Sequence, residues 1–422
     1  MARPAIQPAA VVTSVMFTQE EMVTASAPEL RAARRRNGWW AVPIAALGFV
    51  PILAVLVTSI LPSTIAVTKR DCAERDDAGT CTVLGPEEGV QFAIAPADAQ
   101  PVEPRLEISG VERFGGEGDV LFVTVRSPEL RLLDWFVSRD NPAVDHRSYE
   151  DLFGNETPQQ QARRGAQSMR TAKQTAEYVA LGRLGYPVEL VPGDVIIDQM
   201  VCLEANAAGT ECLEWAPSDE VLDPGDKLLK VDGVEVTTVD DLGPILRKHK
   251  PGDLIEIEFE RDAVVDSGEV ELIASPDDPT RTIVGFLPSD TTAVKIPDEI
   301  DISIDTDRIG GPSAGLAFTL TLLDELSAGN LLDGEKVAVT GTININGEVG
   351  AIGGLPSKAS AVLQSGAKYF LVPTAQGEED IAKARRVVGD AVEIIPVATV
   401  EEALAALQRI GGDPFVPPRP AQ

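Results

Sequence analysis

Ser313 is the residue best placed for chemistry. It stands in Gly311-Pro312-Ser313-Ala314-Gly315, directly before an apolar helical run. Pro fits a first helical turn, and Gly lets backbone approach closely. At a helix start, free N–H groups and the positive end of the dipole converge, which favours a developing oxyanion. The pentapeptide also spells Gly-x-Ser-x-Gly, a nucleophile-elbow pattern that requires a His after the Ser. The chain has 2 His, His146 and His249, and both precede Ser313. The base must therefore be another residue type. Lys is the natural choice, because burial disfavours the ammonium and lowers its pKa. Of Lys295, Lys336, Lys358, Lys368 and Lys383, Lys358 stands out. It follows Ala351-Ile-Gly-Gly-Leu-Pro-Ser, a turn with almost no polar side chain, and opens a predicted helix. The plainer readings are a helix-capping Ser and a surface Lys.

These residues need elements to hold them, and residues 280–410 carry the strongest periodicity. Strands are predicted at Ile283–Leu287, Glu299–Ile304, Lys336–Gly341, Tyr369–Val372 and Val392–Ile395. Helices fit Ser313–Ala328, Pro356–Ser365, Glu378–Val388 and Val400–Arg409. Asn346-Gly347 signals a type I′ hairpin turn. Residues 181–275 form a second block, with strands at Val195–Cys202 and Leu254–Glu260 and turns at Pro224-Gly225 and Asp232-Gly233. Val239 to His249 is an amphipathic helix with Val239, Leu242 and Leu246 on one face. Upstream, 62–180 reads as a β-rich region followed by a solvated helix over 155–180, and 411–422 as a Pro-rich tail.

Two resemblances follow. Gly-Pro-Ser-Ala-Gly, Val-Thr-Gly at 339–341 and Gly-Gly-Leu-Pro-Ser-Lys-Ala at 353–359 resemble the proteolytic domain of Lon-family serine peptidases, with Ser313 and Lys358 45 residues apart. The resemblance implies a Ser313 nucleophile, a Lys358 general base, a Thr340 that positions the Lys, and supporting Gly311 and Gly315. It further implies an α+β multidomain protein whose proteolytic domain is ribosomal S5 domain 2-like and assembles as a homo-oligomer. Family members usually carry Asp before Gly-Pro-Ser and Glu after Thr-Gly; here Gly310 and Thr342 stand there. The stretch Pro224-Gly-Asp-Lys-Leu-Leu-Lys-Val-Asp-Gly233 resembles a bacterial PDZ domain. That implies a groove between a strand and the 239–249 helix where a peptide adds as a strand, with Gly182, Gly185 and Tyr186 as the carboxylate loop. The layout as a whole is similar to membrane-anchored, PDZ-containing Lon-like proteases of bacteria. A rival reading is a peptide-binding scaffold with an idle Ser313, suggested by Gly310 and Thr342.

Composition bounds the partners. Lys+Arg is 36 and Asp+Glu 66 over 422 residues, a net charge of −30, which repels nucleic acid. No Gly-x-x-x-x-Gly-Lys-Ser/Thr occurs, so no ATP site is expected, and neither a metal nor another cofactor. Trp39 to Leu61 carries no charge over 23 residues, enough for a membrane-crossing helix. A cleaved signal peptide and a buried soluble helix are the alternatives. Arg31, Arg34, Arg35 and Arg36 before it place the 1–38 tail in the cytoplasm and the catalytic part outside. Residues 62–422 then carry −32. Four cysteines suit an exported domain; the local pairing Cys72–Cys81 with Cys202–Cys212 is favoured over four reduced thiols. Protein or peptide substrates and the cytoplasmic membrane are the expected partners.

Overall fold

A computed structural model describes residues 50–70, 72–75, 81–84, 87–154, 157–205, 212–276 and 278–417. The chain divides into two units, Met1–Ile60 and Leu61–Gln422. In the first, residues 50–58 are helical, with Val50, Ile52 and Leu53 exposed. Among the described residues no helix is long and apolar enough to cross a membrane. The 1–38 tail and the first eleven residues of the expected 39–61 span lie outside them.

The second unit runs through β1 (Phe92–Pro101), β2 (Leu106–Ser109, which lies outside the main sheet), β3 (Asp119–Arg126) and β4 (Asp145–Arg147), followed by α1 (Pro158–Arg183). Thr157 caps α1 in a capping box with Gln160, and Pro158 fits the first turn. This helix is not the solvated one expected over 155–180. Met169, Ala172, Ala176, Val179 and Ala180 are buried, because its Ala-rich stripe lets another helix approach closely.

The chain then leaves for a second body and returns. Out go β5 (Glu189–Met200), β6 (Cys202–Ala205), β7 (Cys212–Trp215), β8 (Lys227–Val231), α2 (Leu242–Leu246), β9 (Leu254–Arg261) and β10 (Val264–Glu271); β11 (Phe286–Lys295) brings it back antiparallel to β5. The sheet order is β10-β9-β8-β5-β11, so β11 is an edge strand. Inward residues Ile197, Leu228, Val231, Ile257 and Phe259 alternate with outward ones and fill a separate core with Leu242 and Ile245. Asp232 and Gly233 both take positive φ, as the turn there requires. The helix expected over Val239–His249 is shorter: a 3₁₀ turn Val239–Asp241 precedes α2.

After β11 come β12 (Asp301–Ile304), α3 (Gly315–Leu326), β13 (Lys336–Val339), β14 (Thr342–Ile343), β15 (Val349–Gly350), α4 (Leu355–Ser365), β16 (Tyr369–Pro373), α5 (Glu378–Val388), β17 (Glu393–Val397) and α6 (Val400–Arg409). These match the predicted elements closely. The turn between β14 and β15 differs: only Gly347 has positive φ, and the Asn344 side chain accepts from the N–H groups of Asn346 and Glu348. A type I′ turn needs two such residues.

The main sheet runs β17-β16-β13-β3-β1-β4. It joins strands from 92–147 to strands from 336–397, with β3 and β13 parallel and Phe122 opposite Val339. The proteolytic block expected over 280–410 thus shares one sheet with the 62–180 region, and 189–295 is inserted between its halves. Val120 and Phe122 face a core with α1, α3 and α6; Leu121 and Val123 face another with α4 and α5. Burial on both faces accounts for the near-continuous apolar run Val120-Leu-Phe-Val123. A strand of this kind carries no local mark of its parallel partner 217 positions on.

Cys202 and Cys212 form a disulfide with Cα atoms 5.7 Å apart, joining β6 and β7. Cys72 and Cys81 lie on paired strands 72–75 and 81–84; the expected bond between their side chains lies outside the described residues.

Candidate active site

Ser313 sits just before α3, and Lys358 lies in the first turn of α4. The two helices cover opposite faces of the sheet. They meet beyond the carboxyl ends of the parallel strands β3 and β13, where open α/β sheets form crevices. The ammonium nitrogen of Lys358 donates to Ser313 Oγ at 3.0 Å and also to the main-chain carbonyl of Val123 at the end of β3.

The Ser313 loop is held from both sides. Gly311 has φ +92° and donates its N–H to the Gly165 carbonyl of α1 at 2.8 Å. The Ser313 carbonyl accepts from Gly341 N–H at 2.9 Å and from Thr340 Oγ1 at 3.1 Å. Thr340 is fully buried. Its hydroxyl therefore fixes the Ser313 backbone, whereas the expectation from resemblance was a contact to the Lys. A side-chain carbon at Gly315 would lie 2.8 Å from Ile343 Cγ2, so α3 can start against β14 only with Gly there. No backbone acceptor among the described residues takes the N–H of Ser313 or Ala314.

Lys358 is 3 % exposed. Burial lowers its pKa from 10.5 to about 7, so a large neutral fraction exists near neutrality. The neighbouring Ser357 anchors α4 by donating to the carbonyls of Ala143 at 2.7 Å and Ile94 at 3.2 Å. A neutral amine 3.0 Å from a hydroxyl can accept its proton. The two histidines are engaged elsewhere, His146 with Ser138 and His249 with Asp232.

Gly310, at the position where the resemblance expects Asp, has a steric reason. A Cβ on it would lie 3.0 Å from the carbonyl carbon of Gly165 and 3.2 Å from its Cα. The loop packs on α1 through glycine on glycine.

The inserted body carries a groove of about 610 Å³ between α2 and the β11 edge. Val239, Leu242 and Leu246 line it as expected, with Val284, Phe286 and Leu287 opposite. Gly182, Gly185 and Tyr186 do not. They terminate α1, with Gly185 at φ +87°, Tyr186 N–H on the Leu181 carbonyl, and Tyr186 packed on the proteolytic core. The placement failed because Gly-Tyr near a helix end reads equally as a loop and as a helix stop.

Residues 299–409 match the Lon protease (S16) C-terminal proteolytic domain. Residues 213–272 match a PDZ domain. Lon proteases of Azospirillum brasilense and Neorickettsia sennetsu are each 39% identical over 85 residues, 20% of this chain. The Lon protease of Mycoplasma mycoides is 34% identical over 101 residues, 23% of this chain. The chain spans about a tenth of the length of these curated relatives (10% for the first two, 12% for the third). The solved PDZ domain of an SdrC-like protein from Listeria monocytogenes matches at 16% identity and TM-score 0.18, covering 22% of this chain and 86% of that one.

A Lon-type proteolytic domain and a PDZ domain are thus present in one chain. Two parts of the proteolytic site escaped the sequence reading. The Val123 carbonyl is backbone, which residue identity does not betray. Gly165 sits inside a helix, where an isolated Gly costs roughly 1 kcal/mol against Ala, and that cost was a usable signal. In the PDZ domain the overlooked segment is Ile283-Val-Gly-Phe-Leu287, a Gly flanked by apolar residues beside the groove.

Proposed function

We propose that the protein is an ATP-independent serine endopeptidase working through a Ser313–Lys358 dyad. The observation that carries this is the 3.0 Å contact between Lys358 Nζ and Ser313 Oγ, made by a lysine whose charged form burial disfavours. Ser313 Oγ bonds to the scissile carbonyl carbon as its proton passes to the Lys358 amine. The oxyanion faces the N–H groups of Ser313 and Ala314 at the positive end of α3. Collapse expels the amine, which takes the proton from Lys358. Water then attacks the acyl-enzyme with Lys358 again as base.

The PDZ domain selects or gates protein substrates through its groove, the free edge of β11 receiving an extended peptide. The uncharged stretch 39–61 anchors the chain in the cytoplasmic membrane, with the N-terminus inside and the proteolytic domain outside. Four arginines at 31 and 34–36 support that orientation. Copies assemble as a homo-oligomer, by resemblance to Lon-type domains.

The decisive test incubates the full-length chain and its Ser313→Ala variant with an unfolded protein, without ATP, and follows peptides by mass spectrometry. Cleavage by wild type alone supports the reading; equal cleavage by both, or none by either, sinks it. Trypsin accessibility of the catalytic part in intact spheroplasts tests the topology.

A further inference from the structure

Leu61 is the last residue of the uncharged stretch 39–61, and the chain is fixed from there on. The Leu61 carbonyl accepts the N–H of Leu132 at 2.9 Å. The buried Ser63 donates its hydroxyl to the carbonyls of Val90 at 2.5 Å and Leu130 at 3.1 Å. The exit from the stretch is therefore locked to the segment 130–132. That segment opens a short helix, Leu132–Ser138. Helical spacing divides its apolar residues between two faces. Leu132 and Trp135 pack on a small core of Val67, Val90, Ala93 and Leu130. Leu133, Phe136 and Val137, at i, i+3 and i+4, share the outer face. Phe136 is 57% exposed and Val137 75%.

An isolated exposed apolar side chain is ordinary, whereas a cluster on one face marks an interaction surface. Position says what this one meets. At 1.5 Å per residue the helix is about 10 Å long, so Phe136 and Val137 stand within about 10 Å of Leu61. The headgroup layer on each side of a hydrocarbon core is about 5–7 Å thick. Amphipathic surface helices sink about 5–10 Å into that boundary. The guanidinium of Arg139 stacks 4.3 Å from the Phe136 ring centroid, with its charge free to stay on the water side. The charges within 129–140 nearly cancel, since Arg131 pairs with Glu129 at 3.4 Å and Arg139 with Asp140 at 3.2 Å, leaving Asp134. Contact here must come from apolar burial, because a chain of net charge −30 gains nothing from anionic headgroups.

We propose that the helix Leu132–Ser138 lies in the surface of the bilayer, with Leu133, Phe136 and Val137 set among the lipid headgroups. The partner is a lipid surface of no particular charge. The proposal rests on the reading of 39–61 as the membrane anchor, and adds a second membrane contact that fixes how the domain stands. So short a helix can hold such a seat because the anchor already keeps the bilayer at hand, and little freedom remains to be lost. The seat also connects to the candidate active site. Asn141 N–H bonds to the Ser138 carbonyl at 2.9 Å, and two residues on the Ala143 carbonyl accepts from Ser357 Oγ at 2.7 Å. Ser357 precedes Lys358, so the helix that carries Lys358 is braced on the segment directly after the membrane seat.

The test reconstitutes the full-length chain into phosphatidylcholine vesicles that contain a photoactivatable diazirine phosphatidylcholine. After illumination, lipid-labelled peptides are mapped by mass spectrometry. Arg131 and Arg139 let trypsin release the helix as one peptide, 132–139. Label in both 132–139 and the 39–61 stretch is expected. Label in 39–61 alone leaves the anchor and overturns the seat; the face then covers a protein, a second copy of this chain among the candidates. Label in 132–139 alone supports the seat and refutes the anchor. Label in neither overturns both. Phe136→Ser combined with Val137→Ser changes two exposed positions, so folding is spared, and an unchanged melting temperature checks this. In that variant the label in 132–139 is expected to fall about tenfold while the label in 39–61 stays the same. Undiminished label in 132–139 overturns the proposal.

Discussion

The Gly165 carbonyl accepts the Gly311 N–H at 2.8 Å, so the N-terminal third of a 26-residue helix fixes the loop two residues ahead of Ser313. The same helix faces the PDZ domain through Arg163. The placement of Ser313 and that of the PDZ domain thus depend on a single turn of one rigid element.

The glycine contact is asymmetric, and that can be tested. Gly310→Asp drives a side chain into helix backbone at 3.0 Å. It is expected to lower kcat/KM at least tenfold and to cost about 1–3 kcal/mol of stability. A Cβ at Gly165 would sit 3.6 Å from Gly310 Cα, ordinary contact. Gly165→Ala should therefore be neutral or stabilising by up to about 1 kcal/mol, from helix propensity. Calorimetry and steady-state kinetics on both variants check the contrast.

Lys358→Met should reduce kcat by roughly 10²- to 10⁴-fold, the range for loss of a general base. Full peptidase activity in this variant would remove Lys358 from the mechanism. In the wild type, kcat/KM should rise as pH passes about 7 and then level, because the neutral amine is the active form.

Stability should follow the same group. Burial lowers the Lys358 pKa from 10.5 to about 7, so between these values the unfolded chain holds a proton that the folded chain lacks. The contribution of Lys358 to stability therefore grows with pH across that window, by at most about 1.4 kcal/mol per pH unit, and is lost as pH falls through 7. Denaturant midpoints at pH 7 and pH 9.5 should diverge less in Lys358→Met than in wild type.

Thr340→Val removes the 3.1 Å bond to the Ser313 carbonyl while nearly keeping volume. Gly341 N–H still holds that carbonyl. A fall of about tenfold in kcat and about 1 kcal/mol in stability is expected, with recovery in Thr340→Ser. A matching loss in Thr340→Ser would mean that the hydroxyl alone does not account for the effect.

Replacing both Cys202 and Cys212 by Ser opens a link with a sequence separation of 10. The chain-entropy model puts this at roughly 2–3 kcal/mol. Because β6 and β7 belong to the inserted domain, hydrogen exchange should quicken in β8 and β9 and stay unchanged in β13 and β16.

The second half of the proteolytic domain was legible in the sequence because each of its elements advertises itself locally. α6 has Val400, Ala403, Ala406 and Leu407 on one face, and β13 is a short apolar run before Thr340-Gly341. Ser313 and Lys358 were picked out by their glycine-rich turns and by resemblance to Lon-family peptidases, and the fold brings the two side chains to 3.0 Å. The first half was not. The alternation in 102–137 marks strands, yet pairing β3 to β13 depends on a register between Val120 and Val337 that no nearby residue encodes. Thr340 was found and its partner was not, because a main-chain carbonyl has no letter in the sequence.

The interruption of the proteolytic sheet has a consequence for how the chain is made. Synthesis delivers β1 and β3 first, then the whole PDZ domain, which closes on its own short-range strand pairs. The parallel neighbour of β3 emerges more than 200 residues later. Until then Val120-Leu-Phe-Val123 is an apolar strand with an open flank, the kind of segment that aggregates during slow assembly. From residue 295 to residue 397, roughly a quarter of the chain, the nascent polypeptide thus carries a complete PDZ domain beside an incomplete proteolytic sheet.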